Sequence, residues 1–153
     1  MEGHLTDLKN WPLLDFTHGW QHRLTVDARL APYSWVKGIN TLGHLLPNPR
    51  YAGEVRDEKR RWRAYSFQQG AHSVTAVWVA DREVELGWKQ GPVLSVRLPE
   101  DARFVDLMGA PRRAKTLPDG RLRVPLTPAP LFILSDEGPE AVLSAFKPCI
   151  TGR

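Results

Sequence analysis

Few residues in this chain have the types and spacing that chemistry requires. His18 and His22 stand four apart in "HGWQH". On a helix that spacing puts two imidazoles on one face, where they could ligate a metal. The glutamate of a metalloprotease helix is missing and no third ligand is evident, so two surface or hydrogen-bonded histidines are the simpler reading. Glu83 with Glu85, or Asp101 with Asp106, could serve as an acid and base pair. Seventeen acidic residues produce such pairs by chance. Glu83 and Glu85 read more simply as polar positions of a loop or edge strand, "DREVELGW". Asp106 is different, because it interrupts an apolar strand just before Met108 and Gly109. A carboxylate there needs partners, and backbone N–H groups of a turn would supply them.

The chain has neither a Gly-rich phosphate loop ending in Gly-Lys-Ser or Gly-Lys-Thr nor a Gly-x-Ser-x-Gly nucleophile elbow. Its one cysteine, Cys149, can form neither an internal disulfide nor a multi-cysteine zinc site. In the terminal run "FKPCITGR" it reads as an incidental thiol. No cofactor and no metal are expected. The six tryptophans are the remaining candidates, because flat aromatic faces stack on sugar rings. Trp78 sits in the most buried-looking strand and Trp35 on a helix stripe. Trp11, Trp20, Trp62 and Trp88 lie in less regular surroundings, and Trp20, Trp62 and Trp88 are the candidate carbohydrate contacts. Core packing is the competing role for each.

The elements that would position these residues are mostly short strands. Residues 1–49 form an N-terminal segment with a plausible strand near Arg23–Ala28. In "APYSWVKGINTLGHLLPNP" the spacing of Trp35, Ile39, Leu42 and Leu46 predicts a helix over about 32–46 with one apolar face. Pro32 suits its start, and Pro47 and Pro49 enforce its stop. Gly38 and Gly43 weaken it by about 1 kcal/mol each relative to alanine, so the stripe must dock on something larger. After Pro49 come "YAGEVRD", "RWRAYSFQ", "HSVTAVWVAD", "PVLSVRL", "RFVDLMG", "RRAKTL", "RLRVPL" and "PLFILS". The third is apolar on both faces, as a central strand should be. Leu117, Pro118, Asp119 and Gly120 form the firmest hairpin turn, since proline presets a turn dihedral and Asp and Gly suit the other positions. About eight short strands with frequent turns predict a mainly β fold, an antiparallel β-sandwich with an N-terminal helix. The sandwich is assigned to residues 50–135. Residues 136–153 form a C-terminal tail, in which "GPEAVLSAF" suggests a short helix.

A length of 153 residues and 42% hydrophobic content suit one soluble globular domain. No apolar run is long enough to span a bilayer, and the start, "MEGHLTDLKNWPLLD", lacks the basic opening and apolar centre of a signal peptide. The net charge of +4 is carried largely by scattered arginines. Arg121 and Arg123 alternate as on a solvated sheet face. The stretch "DEKRRWR", Asp57 to Arg63, could form a nucleic-acid patch with an interleaved aromatic. A charged hairpin tip is the simpler account, so no nucleic-acid partner is expected, and no membrane.

The run "FVDLMGAPRRAKTLPDGRLRVPLTPAPLFI", Phe104 to Ile133, resembles the end of the C-terminal β-sandwich that follows the catalytic barrel in several clan A glycoside hydrolases. In that accessory domain a strand ends in a valine, an aspartate and a glycine, matched by Val105, Asp106 and Gly109. A variable hairpin and an alternating strand follow, matched by Gly120, Leu122, Val124, Leu126, Pro130 and Phe132. Upstream, Ile39, Asn40, Thr41, Leu42, Leu45, Leu46 and Arg50 fit the family's helix and first strand, and "RAYSFQQGAHSVTAVWV" resembles its next strand pair. The likeness covers about residues 31–135, and the order and spacing of its pieces carry it.

The resemblance implies a non-catalytic domain that buttresses a barrel or helps shape its sugar cleft. The barrel and its two glutamates have no counterpart here, so no catalytic residue carries over. The implied partner is a (β/α) barrel in cis or trans, or a second copy of the chain, with carbohydrate as a further ligand. Trp35, Ile39, Leu42 and Leu46 are then the domain-interface residues. Trp11, Leu13, Leu14, Phe16 and Trp20 would add to that surface. Asp106, Gly109, Pro118, Asp119 and Gly120 are the structural motif. A freestanding carbohydrate-binding module is the alternative, and an independent enzyme the third reading.

Overall fold

Strand polarity explains how this chain divides its apolar residues between two cores. The computed structural model describes residues 34–150, with side chains from residue 37 onward. Helix α1 (Ser34–Leu45) leads into a meander of β1 (Arg50–Asp57), β2 (Trp62–Gln69) and β3 (His72–Val79). A short helix α2 (Arg82–Glu85) precedes β4 (Val93–Val96), β5 (Arg103–Asp106), β6 (Pro111–Arg112), β7 (Lys115–Thr116), β8 (Leu122–Pro125) and β9 (Leu131–Ser135). Helix α3 (Pro139–Phe146) and a single 3-10 turn (Lys147–Cys149) follow. The nine strands form two sheets, six-stranded in the order β1-β2-β3-β9-β5-β6 and three-stranded in the order β4-β8-β7. Every pairing is antiparallel. The mainly β, two-sheet fold with a helix on the N-terminal side is the one expected.

The inner face of the large sheet carries Val55, Trp62, Ala64, Val77, Val79 and Ile133. Leu94, Val96 and Val124 of the small sheet and Val142, Leu143 and Phe146 of α3 close over it, so α3 is part of the main core. Successive β side chains point to opposite faces, and β3 is buried on both, as a central strand should be. Its polar inner residues are matched: Thr75 and Ser66, directly opposite, share a 2.8 Å hydroxyl contact, and Ser73 donates to the Glu137 carbonyl.

The outer face carries Val74, Ala76 and Phe132, with Leu42, Leu45 and Leu46 of the α1 region packed over them. Trp78 shares this face. It is half-buried, 5.2 Å from the Tyr65 ring, so it does not lie in the inter-sheet core that its strand suggests. Two close approaches seat α1. A Cβ on Gly38 would come within 3.2 Å of Leu107, and one on Gly109 within 3.2 Å of the Thr41 hydroxyl. The glycine that weakens the helix thus lets it approach the strand-ending loop. The Trp35 side chain, the segment before residue 34, His18, His22 and Trp20 lie outside the description. Ile39 is half-buried.

Two further expectations need correction. "DREVELGW" begins with a helical turn, because Asp81 accepts from the Glu83 N–H at 2.9 Å and caps it. "RRAKTL" is two strands rather than one: β6 belongs to the large sheet and β7 to the small one, with the chain crossing between sheets at residues 113–114.

Candidate functional site

The Asp106 loop is the first place where side chains converge. One carboxylate oxygen accepts the N–H of Met108 and of Ala110, each at 2.9 Å. The other takes Arg112, through Nε at 2.8 Å and a terminal guanidinium nitrogen at 2.6 Å. The loop closes with the Gly109 N–H on the Asp106 carbonyl, and Gly109 takes φ 81°, a region costly for other residues. Burial works to raise the Asp106 pKa. The bonds from Ala110, Arg112 and Met108 outweigh it and hold the group below the ordinary carboxylate value.

Beside this loop lies a groove of about 500 Å³ between the β5–β6 edge and β8. Phe104, Leu107, Pro130 and Leu131 give it apolar walls. Arg112, Arg113 and Arg123 stand along it, with Asp106.

The second place is the loop after β3. Lys89 Nζ reaches Asp81 at 2.6 Å and Glu83 at 3.1 Å, and the Trp88 N–H donates to the Glu83 carbonyl at 2.8 Å. The Lys89 hydrogen bond is the main reason the Asp81 pKa is lowered. This bracing presents Leu86, 47% exposed, and Trp88, 77% exposed, at the surface. Of the three tryptophans singled out as sugar contacts, Trp88 has an open face. Trp62 has none: it is fully buried against Phe146, with ring centres 5.9 Å apart, which corrects the expectation that it is exposed. It opens β2 on the inner face, so the charged tip beside it is only the turn. There Asp57 accepts from the Lys59 and Arg60 N–H groups.

The other carboxylates also hold turns. Asp119 accepts from the Arg121 N–H and Nε, while the Gly120 N–H meets the Leu117 carbonyl at 2.9 Å in the Pro118-containing hairpin. Asp101 takes the Ser135 hydroxyl at 2.9 Å and the Asp136 N–H. The backbone bond is the largest cause of the lowered pKa in both, from Arg121 to Asp119 and from Asp136 to Asp101. Cys149 is half-buried, with its thiol 3.4 Å from the Ser95 carbonyl. Burial pushes its pKa up, away from nucleophilic readiness. Among the described residues no three His, Cys, Asp or Glu side chains converge as a metal site, and no helix is long and apolar enough to cross a membrane.

No family model matches the chain, and no curated protein matches it. Among solved structures it is similar to a family 39 glycoside hydrolase from the gut symbiont Bacteroides cellulosilyticus WH2, with a TM-score of 0.55 and 18% identity. The match covers 71% of this chain and 21% of that one, so the chain spans about a fifth of the length of the protein it resembles. The likeness shows a shared fold: this two-sheet sandwich has the architecture of one part of a glycoside hydrolase.

Proposed function

We propose that the chain is a non-catalytic accessory domain of the glycoside-hydrolase type, supporting a catalytic (β/α) barrel supplied in cis or in trans. The observation that carries this reading is the fold match, broad on this chain and confined to a fifth of the hydrolase. The chemistry of the carboxylates supports it. A glycosidase needs one carboxylic acid whose pKa is raised, so that it can protonate the leaving oxygen. Asp81, Asp101, Asp106 and Asp119, four of the chain's seventeen acidic residues, are shifted the other way. They are acceptors committed to backbone and cationic donors. Trp35, Ile39, Leu42 and Leu46 are the proposed domain interface, within which Leu42 and Leu46 seat the helix on this chain's own sheet. The purified chain should release no product from aryl glycosides. Turnover abolished by a single Asp or Glu substitution would overturn the reading.

Carbohydrate recognition by the sandwich itself is favoured by one observation, the open indole of Trp88 on a braced loop. Aromatic faces that need no ordering on binding lose little entropy there. Titration with soluble oligosaccharides should perturb Trp88 fluorescence. Trp88→Ala should abolish that response with little change in stability, since a surface substitution typically moves stability by less than about 0.5 kcal/mol. An unaltered response in the variant would remove Trp88 from the reading.

A further inference from the structure

We propose that the groove between the β5–β6 edge and β8 binds an amphiphilic monocarboxylate, a small organic acid with a flat or extended apolar body. This inference is independent of the accessory-domain reading, because it rests only on the groove and its charges.

Three observations carry it. The first is shape and lining. The groove, about 500 Å³, is floored by Phe104, Leu107, Pro130 and Leu131. Pockets that hold small ligands run from about 300 to 1,000 Å³ and combine apolar walls with a few polar groups. The second is unbalanced charge. Asp106 is the groove's acid, and it is occupied by Arg112 and two backbone N–H groups. Arg113 and Arg123 have no acidic partner among the described residues. The third is register. Lys115 of β7 lies directly opposite Arg123 of β8. Like charges facing each other across strands destabilise a sheet; of the two, Arg123 lines the groove, and an anion held there would offset that cost.

These features select the ligand chemistry. A guanidinium matches the two oxygens of a carboxylate with two parallel N–H donors. The apolar floor then favours an acid with a hydrocarbon or aromatic body over a fully hydroxylated one. The acid can be aromatic or a medium-chain fatty acid. Both present one carboxylate to the arginines and apolar surface to the floor.

The test uses the full chain and calorimetric titration with 2-naphthoate and octanoate, each against its neutral counterpart, 2-naphthol and octanol. At least one carboxylate should bind saturably and at least tenfold more tightly than its alcohol. The double variant Arg113→Gln/Arg123→Gln should lose at least tenfold in affinity for that acid. Arg60→Gln, a cation change outside the groove lining, should bind as wild type. Both substituted arginines are exposed, and circular dichroism checks that the variant is folded. Tighter binding of naphthoate identifies an aromatic acid, and tighter binding of octanoate a fatty acid. The proposal is overturned if neither acid saturates at millimolar concentration, if acid and alcohol bind equally, or if the double variant binds as wild type.

Discussion

Trp62→Ala is expected to unfold the domain or bring it close to unfolding. The side chain is fully buried between the large sheet, Phe146 of α3 and the surrounding inner-face residues. Removing an aromatic of this size from a packed core loses its transfer energy and leaves a cavity, together about 3–5 kcal/mol. A domain of this size has about 5–15 kcal/mol in total. A urea titration should therefore show a midpoint far below wild type for Trp62→Ala. Trp62→Phe should fall much closer to wild type. The indole Nε1 is buried with no hydrogen-bond partner, so phenylalanine removes a desolvated donor while keeping most of the apolar contact. A midpoint for Trp62→Ala as mild as that expected of exposed Trp88→Ala would show that α3 does not seal the core as described.

Asp106→Asn is the second large effect, about 1–3 kcal/mol of lost stability at neutral pH. The substitution removes the charge that Arg112 pairs with and weakens the acceptor for Met108 and Ala110. Its pH dependence has a definite sign. The folded pKa is lowered, so the carboxylate's contribution is fully present above the unfolded value of about 3.9. It is lost as pH falls through the folded pKa. The gap between wild type and Asp106→Asn should stay constant at neutral and weakly acidic pH and close below about pH 4. Chemical denaturation of both proteins across that range measures it. A gap that widens on acidification would mean that the protonated form, not the carboxylate, is the one the loop holds.

Much of the strand pattern was legible because it rests on local alternation. Val74, Ala76 and Trp78 share one parity on β3, and Val77 and Val79 the other. The role of Asp106 was legible too, since a carboxylate beside a glycine at a strand end has few alternatives to binding turn N–H groups. Trp62 stands among charged neighbours, which mask its burial in the local composition. Its parity with Ala64 already placed it on the inner face. The α2 turn has its own signal in Asp81, two residues before Glu83, which the alternating "EVEL" masks. The split of "RRAKTL" between sheets and the burial of α3 depend on how distant segments meet. So does the groove, whose walls come from β5, β8 and β9 and have no contiguous trace in the chain.

The paired approaches of Gly38 to Leu107 and Thr41 to Gly109 bear on how the domain opens locally. Helix α1 packs Leu42, Leu45 and Leu46 on the outer sheet face, and its Gly38 and Thr41 also meet Leu107 and Gly109 of the Asp106 loop, so the two elements share contacts. They should open as one cooperative unit, exposing their amides together while the inter-sheet core stays closed. Native-state hydrogen exchange would then give Leu42, Leu45 and Gly109 a common opening free energy, below that of Val77 and Ile133. Destabilising the loop at Asp106 would lower protection in the helix by the same amount, although the two are separated by most of the sandwich along the chain.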